Sequence, residues 1–391
     1  MKNIIDDENT VTPKLLKSTI LHCFKKKHPL MIWGQPGIGK SEIVAEMAKK
    51  TGRPVIDIRL PLLEPIDIRG IPHLVDVKIT DKNGILVKDD KNVELTEKVF
   101  RWSNPAFLPT DDESNAVIFF DELSASTPSV QAATYQIMLN RQIGEYKLPE
   151  NCVIVAAGNR TKDKSVAYNM PFALANRLSH FTLIPDFDNW LEWAIESEID
   201  ESIIAYLRSQ PQDLNQFSGK SNNSALATPR SWVFLNNLIK DETLAPDLLQ
   251  SIARGTIGTG TGFKFYAFRE RADKLPPAID ILSGKITHID NIDVDIAFSL
   301  ISSLTSEIGR LNIRKEKETN TTKKTTLEAA LYEVVGRYFR FSMDNFGREH
   351  VVLAIKSLLT YYDIDINLGN LPEWKEYVAK YKEMIPVRKA K

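Results

Sequence analysis

The sequence predicts an α/β fold, in which a parallel sheet of five strands is flanked by helices and is followed by two mainly helical regions. Short apolar runs rich in β-branched residues alternate with segments of helical periodicity, an order that is typical of parallel sheets covered on both faces. The runs are almost continuously apolar, as expected of strands that are buried on both sides. The first run continues directly into a glycine-rich loop, and ligands of open parallel sheets bind where the strands end.

The elements of this sheet can be assigned in order along the chain. Thr12 and Pro13 predict the start of the first helix, because threonine is a good cap and proline fits the first helical position. The first strand is the apolar run that begins at Leu30, and the segment SEIVAEMAKK forms the helix after the loop. The other four strands are predicted at residues 54–60, 116–122, 152–159 and 179–185.

The domain organisation predicted for the 391 residues has three parts. Residues 1–185 form the α/β core, residues 186–275 an all-α lid and residues 276–391 a helical C-terminal extension. Within the core we expect an insertion at about residues 61–109 that carries a surface hairpin, since its charged sequence contains the turn-forming pair Asn83-Gly84.

Two further segments are predicted to be loops. The run RGTIGTGTG at 254–262 follows no strand and contains no lysine, so we interpret it as a connection between lid helices and not as a phosphate-binding loop. The run RKEKETNTTKKTT at 314–326 is strongly polar and is predicted to be a mobile loop. Helical periodicity returns after it, so the later part of the chain is expected to be folded.

The charge, hydropathy and cysteine content of the chain limit the classes of protein to which it is expected to belong. The 50 Lys and Arg residues against 51 Asp and Glu residues give a formal net charge of −1, so no overall field favours nucleic acid or an anionic membrane, although a local basic face would still allow nucleic acid. No apolar stretch reaches the roughly 18 residues of a membrane span, and the polar start does not resemble a signal peptide. Cys23 and Cys152 are predicted to be buried thiols, which suits a reducing compartment, and we expect a cytoplasmic protein.

A phosphate-binding loop is the most informative motif of the chain. The loop GQPGIGKS fits the pattern GxxxxGK[ST] and stands between a strand-like and a helix-like run. Its glycines let backbone N–H groups turn toward a polyphosphate, Lys40 would reach the β- and γ-phosphates, and Ser41 would hold Mg²⁺. The positive end of the following helix would face the same phosphates. The candidate nucleotide-binding residues are Gly34, Gln35, Pro36, Gly37, Ile38, Gly39, Lys40, Ser41 and Glu42.

Polar residues at the ends of two later strands are candidates for the metal-binding and catalytic groups. Asp121 and Glu122 follow the run VIFF, where Asp121 would hold the Mg²⁺ shell and Glu122 would orient and activate the water that attacks the γ-phosphate. Asn159 ends the next strand, and its amide could donate to the γ-phosphate or to the attacking water. Each of these residues is unremarkable alone, and the phosphate-binding loop upstream is what favours the catalytic interpretation.

Two arginines complete the candidate site. Arg177 lies just before the last strand, and Arg230 starts a helix of the predicted lid. Arginines at such positions commonly only cap helices or face solvent. Charge spreads over three oxygens of the γ-phosphate during transfer, however, and a guanidinium supplied there contributes roughly 10³ to 10⁵ in rate.

The motifs GQPGIGKSE, FFDE, AAGN, ANRL and TPRSW, in this order, resemble the MoxR branch of the AAA+ ATPases over about residues 12–275. The segments DIRGIP and WSNPAFLP resemble the helix-2 insertion of that branch. The resemblance implies ATP and Mg²⁺ as ligands and a homo-oligomeric ring, commonly a hexamer, with nucleotide at each subunit interface. It also implies that Asn159 is the sensor-1 residue, Arg177 the arginine finger and Arg230 the sensor-2 residue. Family members often carry Asp where this chain has Asn176, which leaves the exact position of Arg177 open.

The same resemblance suggests the kind of partner. Relatives often act as chaperone-like remodellers or activators together with a von Willebrand factor A domain, and this chain lacks the DxSxS pattern such a domain needs, so the partner would be a separate protein. Two alternatives stay open: a nucleotide-gated binding scaffold, and a DNA-directed AAA+ motor or GTPase. The predicted hairpin mixes lysines with aspartates, which argues weakly against the DNA-directed alternative.

Overall fold

The computed structural model describes residues 9–80, 86, 96–160, 168, 170, 175–217, 225–362, 364, 366, 368–381 and 383. Contacts within it divide the chain into two compact units. The first comprises Met1–Asp186 with Ser218–Lys220, and the second comprises Phe187–Phe217 with Ser221–Lys391. The division of the second unit into a lid and a C-terminal extension stays a prediction.

The first unit is built on a parallel sheet of six strands in the order β1-β10-β2-β9-β6-β3. Every neighbouring pair in this sheet is parallel, so all the strands end at the same edge. The strands are β1 (Thr10–Val11), β2 (Leu30–Trp33), β3 (Val55–Arg59), β6 (Val117–Asp121), β9 (Val153–Gly158) and β10 (Ser179–Leu183).

The predicted α/β fold is confirmed, with one strand more than expected. The five predicted strands are all present, and their ends differ from the prediction by two residues at most. The additional strand, Thr10–Val11, pairs with β10 at the edge of the sheet. Two residues are too few to produce a recognisable alternation of apolar and polar side chains, and this strand depends on its neighbour for its conformation.

Helices cover the sheet on both faces. Thr12 caps the first helix as predicted, because its hydroxyl accepts a hydrogen bond from the backbone N–H of Leu15 at 3.4 Å. Leu123–Ala125 forms a short 3-10 turn directly after β6. The α-helices of this unit are α1 (Pro13–Lys26), α2 (Lys40–Lys50), α3 (Pro65–Arg69) and α4 (Pro128–Asn140).

The two faces of the sheet pack into two separate cores. Alternate residues of a strand point to opposite faces, and accordingly Met31 and Phe120 belong to one core whereas Ile32 and Phe119 belong to the other. Both sets are almost fully buried. This double burial explains why the strands are continuously apolar in sequence.

The predicted insertion carries an antiparallel hairpin, β4 (Pro72–Lys78) with β5 (Thr96–Trp102). Its base is tightly closed at Gly70, which has φ +83° and would place an added Cβ 1.8 Å from the carbonyl oxygen of Ser103. Only glycine fits there. The predicted turn at Asn83-Gly84 lies outside the described residues. A second small hairpin pairs β7 (Gln142–Ile143) with β8 (Tyr146–Lys147).

Among its described residues the second unit contains helices and no strands. One core is formed by residues between Trp190 and Phe268, and another by residues between Ile281 and Tyr381. The α-helices are α5 (Phe187–Glu196), α6 (Glu201–Ser209), α7 (Pro229–Ile239), α8 (Pro246–Ile257), α9 (Thr259–Ala272), α10 (Ala278–Leu282), α11 (Val294–Lys317), α12 (Thr321–Asn345), α13 (Arg348–Tyr361) and α14 (Pro372–Tyr381).

Both loop predictions in this unit are wrong. The glycine-rich run 254–262 ends α8 and begins α9, with a single break at Gly258, where φ is +89°. Gly262 lies so close to the backbone of Ala253 and Arg254 that no side chain would fit, so this glycine allows the two helices to approach and does not provide a loop. The polar run 314–326 is also helical except for the break between Lys317 and Thr321. Most of its polar residues, though not the buried Lys315, occupy exposed helix ends, which composition alone does not distinguish from a loop.

Candidate nucleotide-binding site

The glycine-rich loop joins the end of β2 to the start of α2, as its sequence requires. Gly37 and Gly39 have φ of 75° and 100°, values that are strained for residues with a side chain. Gly34 is also closely packed, since an added Cβ would lie 3.3 Å from the carbonyl oxygen of Leu183. The loop therefore has the curled backbone that turns N–H groups toward an anion, at the positive end of α2.

Lys40 is folded back into this loop. Its side chain is 9% exposed, and the ammonium donates to the carbonyl oxygens of Gly34 at 2.7 Å and Gln35 at 3.1 Å. It also donates to the side-chain oxygen of Asn159 at 2.9 Å. A buried ammonium hydrogen-bonded to these neutral oxygens is poised to exchange some of them for the oxygens of a phosphate.

The hydroxyl of Ser41 donates to a carboxylate oxygen of Asp121 at 3.2 Å. Residues 80 positions apart in sequence therefore meet at the edge where β6 ends and α2 begins. A hydroxyl and one carboxylate are a suitable protein contribution to an Mg²⁺ ion, which takes its remaining oxygens from phosphates and water. Burial raises the pKa of the Asp57 carboxyl on neighbouring β3, and the charge on Asp121 raises it further while Arg59 opposes the rise.

Glu122 is exposed and adopts a left-handed conformation with φ of 55°. Its backbone N–H donates to the second carboxylate oxygen of Asp121 at 2.9 Å, which fixes the carboxylate that faces Ser41. The left-handed region costs a residue other than glycine roughly 1 to 2 kcal/mol. The turn after β6 therefore holds Glu122 in an unfavourable conformation beside Asp121.

Ser124 is a residue of this site that the sequence analysis missed. Its hydroxyl accepts from the backbone N–H of Asn159 at 3.0 Å and donates to the carbonyl oxygen of Asn159 at 2.8 Å. The serine is 3% exposed and packs against Gly158, where an added Cβ would lie 2.7 Å from its hydroxyl oxygen. The turn after β6 thus clamps the end of β9 and orients the side chain that meets Lys40.

A second missed group surrounds Trp33, the last residue before the loop. Its indole N–H donates to Nδ1 of His180 at 2.9 Å, and the two rings stack with centroids 6.0 Å apart. The other ring nitrogen of His180 is 2.7 Å from the carbonyl oxygen of Ala175, which assigns the proton to Nε2. The guanidinium of Arg160 lies 5.5 Å from the centre of the indole. No local pattern indicates this group, since the pairing of distant residues on β2 and β10 carries no signal in the sequence around His180.

The remaining candidates are Arg177, Glu42 and Arg230. Arg177 is exposed and precedes β10, whose first residue pairs with Leu30 at the start of β2. It therefore lies at the opposite edge of the sheet from Lys40. Glu42 is exposed in the first turn of α2. Arg230 belongs to the second unit, where it is exposed in the first turn of α7.

Among the described residues, no group of three or more His, Cys, Asp or Glu side chains converges as a resident metal ion would require. Among the helices of the described part of the chain, none has the length and apolar character of a membrane span.

Residues 30–185 match the family model described as ATPase family associated with various cellular activities (AAA). These residues form an AAA ATPase domain. The match includes the phosphate-binding loop, Asp121 and Asn159, and it supports nucleotide binding and ATP hydrolysis as the general activity of the AAA domain. A comparison with curated proteins finds no match.

Solved structures similar to this chain over 69% to 96% of its length include three of low sequence identity. A proposed ATPase from Cytophaga hutchinsonii is 15% identical, with 96% of this chain and 91% of that protein covered and a TM-score of 0.31. NtrX from Brucella abortus, solved with ADP, is 12% identical, with 95% and 68% covered and a TM-score of 0.34. A RuvB variant from Thermotoga maritima is 15% identical, with 69% and 74% covered and a TM-score of 0.36. These values carry no statement about the activity or assembly of the present chain.

Proposed function

We propose that this protein is a Mg²⁺-dependent ATP hydrolase of the MoxR type that works as a ring and remodels or activates a partner protein. The observation that supports hydrolysis best is a pair of contacts between distant segments. Lys40 meets Asn159, and Ser41 meets Asp121. A triphosphate and its metal ion need groups from the phosphate-binding loop and from the ends of β6 and β9, and these contacts show that the three segments meet.

In this proposal each residue has a distinct role. The loop amides and Lys40 bind the β- and γ-phosphates, and Ser41 and Asp121 orient the Mg²⁺ that supplies charge neutralisation when it is bound. Glu122 accepts a proton from the attacking water. Asn159, released from Lys40, donates to the γ-phosphate or to that water. The nearby Ser124 keeps the backbone of Asn159 fixed while its side chain changes partner.

The ring is supported by the position of Arg177. Because this side chain and Lys40 lie at opposite edges of the same sheet, Arg177 is badly placed to contact the nucleotide of its own domain. A neighbouring copy would bring its γ-phosphate to that edge, which is the arrangement of an arginine finger acting in trans. We propose a hexamer on the resemblance to MoxR proteins, with Arg230 acting as sensor 2.

The partner and compartment are proposed on the same resemblance. The conformational change that accompanies each cycle of hydrolysis would act on a separate protein with a von Willebrand factor A domain. A cytoplasmic location agrees with Cys23 and Cys152, which are both buried free thiols. Two alternative functions would use the same phosphate-binding groups. A scaffold that binds nucleotide without turnover is distinguished by measuring ATP turnover, and a DNA-directed motor by testing whether DNA stimulates that turnover.

The test compares Glu122→Gln with Glu113→Gln, which makes the same charge change at another exposed position. We expect Glu122→Gln to bind Mg·ATP with unchanged affinity and to release phosphate at least roughly a hundredfold more slowly, since general base catalysis contributes about 10² to 10⁴. Glu113→Gln should hydrolyse ATP like the wild type. Hydrolysis by Glu122→Gln at the wild-type rate would show that Glu122 is not the general base. Absence of hydrolysis in the wild type would favour the nucleotide-gated scaffold.

A further inference from the structure

A cavity of about 230 Å³ lies at the edge of the sheet away from the phosphate-binding loop. Its rim carries four basic side chains, Lys27, His28, Arg141 and Arg177, and its floor is apolar, with Met138 and Ile154 among the lining residues. None of the described residues that line it carries a carboxylate. All the lining residues belong to the first unit.

The fold holds three of these basic groups in place with neutral partners. Lys27 donates to the side-chain oxygen of Asn151 at 3.1 Å, and a ring nitrogen of His28 is 2.9 Å from the hydroxyl of Ser179. The guanidinium of Arg141 donates to two backbone carbonyl oxygens at 2.7 and 2.8 Å. Lys27 and Arg141 are the left-handed residues that end α1 and α4, so two helix ends bring their cations to one rim.

The four basic side chains of this rim have no direct ion-pair partner among the described residues. Within the described part of the chain, none of the four side chains forms an ion pair with a carboxylate, although ion pairs are common elsewhere on this protein. Burial lowers the pKa of Arg141, while nearby groups, Glu150 among them, oppose this shift. A guanidinium that burial disfavours, at a rim with three other basic side chains, would be stabilised by a bound anion.

The anion is not the nucleotide bound by the same domain. Leu30 starts β2 directly after Lys27, His28 and Pro29, and the phosphate-binding loop follows the other end of that strand. A strand of four residues spans roughly 13 Å, so the cavity and the loop are separate sites on opposite edges of the sheet.

We propose that this cavity is a second phosphate-binding site, which takes a phosphate group from outside the domain. Arginine presents a planar fork that matches phosphate oxygens, and lysine adds a point charge to them. The phosphate is either free inorganic phosphate or the terminal phosphate of a nucleotide on a second copy of this chain, and the second source rests on the proposed function. In that case Lys27 and Arg141 assist Arg177.

The first experiment measures phosphate binding directly. The full chain is saturated with Mg·AMP-PNP, so that its own phosphate-binding loop is filled, and is titrated calorimetrically with inorganic phosphate. Lys27→Asn removes one cation while keeping a residue that tolerates the left-handed conformation, and Lys26→Asn is the matched control one position earlier, outside the cavity. We expect Lys27→Asn to bind phosphate roughly tenfold more weakly and the control to bind it like the wild type.

The second experiment distinguishes the source of the phosphate. If it belongs to a second copy, free phosphate does not bind, and Lys27→Asn lowers kcat roughly tenfold with KM unchanged, whereas Lys26→Asn does not. The inference is overturned if Lys27→Asn and Lys26→Asn match the wild type in both measurements. Hydrolysis by Glu122→Gln would refute the proposed function without refuting the second phosphate site. The calorimetric result would still decide whether the cavity binds phosphate.

Discussion

Replacing Ser124 by alanine should separate the stability of the first unit from its catalysis. The substitution removes both hydrogen bonds that hold the backbone of Asn159, at 2.8 and 3.0 Å, in a site where the serine is 3% exposed. Each bond contributes about 0.5 to 1.5 kcal/mol, so we expect the free energy of unfolding to fall by about 1 to 3 kcal/mol. Released from this clamp, Asn159 should be less well oriented toward Lys40 and the γ-phosphate.

A matched control is available two residues later. Ser126 is also fully buried, and its hydroxyl donates only to the carbonyl oxygen of Leu123 at 2.8 Å, away from Asn159. Ser126→Ala should lower the free energy of unfolding by about 1 kcal/mol and leave kcat unchanged. Ser124→Ala should lower kcat by roughly 10- to 100-fold, because misplacement of a catalytic group by about 1 Å costs about 10² in rate.

The assays are urea unfolding of both variants and phosphate release at saturating Mg·ATP. Temperature should be chosen so that both variants stay folded, since otherwise the loss of stability would itself lower the measured rate. If Ser124→Ala retains kcat within about twofold of Ser126→Ala, the clamp on Asn159 has no catalytic importance and the role given to Ser124 is wrong.

Three further substitutions test other parts of the fold. Trp33→Phe keeps a ring but loses the N–H that donates to His180, and urea unfolding should show a loss of about 0.5 to 1.5 kcal/mol; an unchanged midpoint would contradict this. Gly70→Ala should destabilise the hairpin base by about 2 kcal/mol or more because its Cβ meets the carbonyl oxygen of Ser103, and slow hydrogen exchange retained in β4 and β5 would argue otherwise. The pKa of Asp57 is raised in the folded protein, so ionisation of this carboxyl opposes folding as pH rises through that pKa. Asp57→Asn should therefore be more stable than the wild type at pH 7. The difference should disappear below the ordinary pKa of 3.8, which unfolding measured across pH will check.

Local patterns predicted much of the first unit. Thr12 and Pro13 predicted the start of α1, because helix caps require particular residue types at adjacent positions. Continuous apolar runs predicted the five main strands, because strands buried on both faces need apolar side chains at successive positions. The same reasoning failed for the helices around Gly262, where close packing against Ala253 and Arg254 of the preceding helix, and not a loop, explains that glycine. Whether two successive helices approach so closely depends on the angle between them, and composition does not report it.

The candidate site shows the same limit. The motif around Lys40 and the acidic residues after β6 could be recognised because each is a short pattern with a known chemistry. Ser124 could not, since a serine in a turn is common and its importance depends on the end of β9 lying beside it.

The sequence by itself determined which residues could bind a phosphate and a metal ion, since that depends on the type and local order of side chains. Tertiary structure alone decided which of them meet. Strand order placed Asp121 beside Ser41, and it placed Arg177 and the basic cavity at the opposite edge. Those distances follow from how the strands pair, and pairing between distant segments is a property of the whole fold and not of any short stretch of sequence.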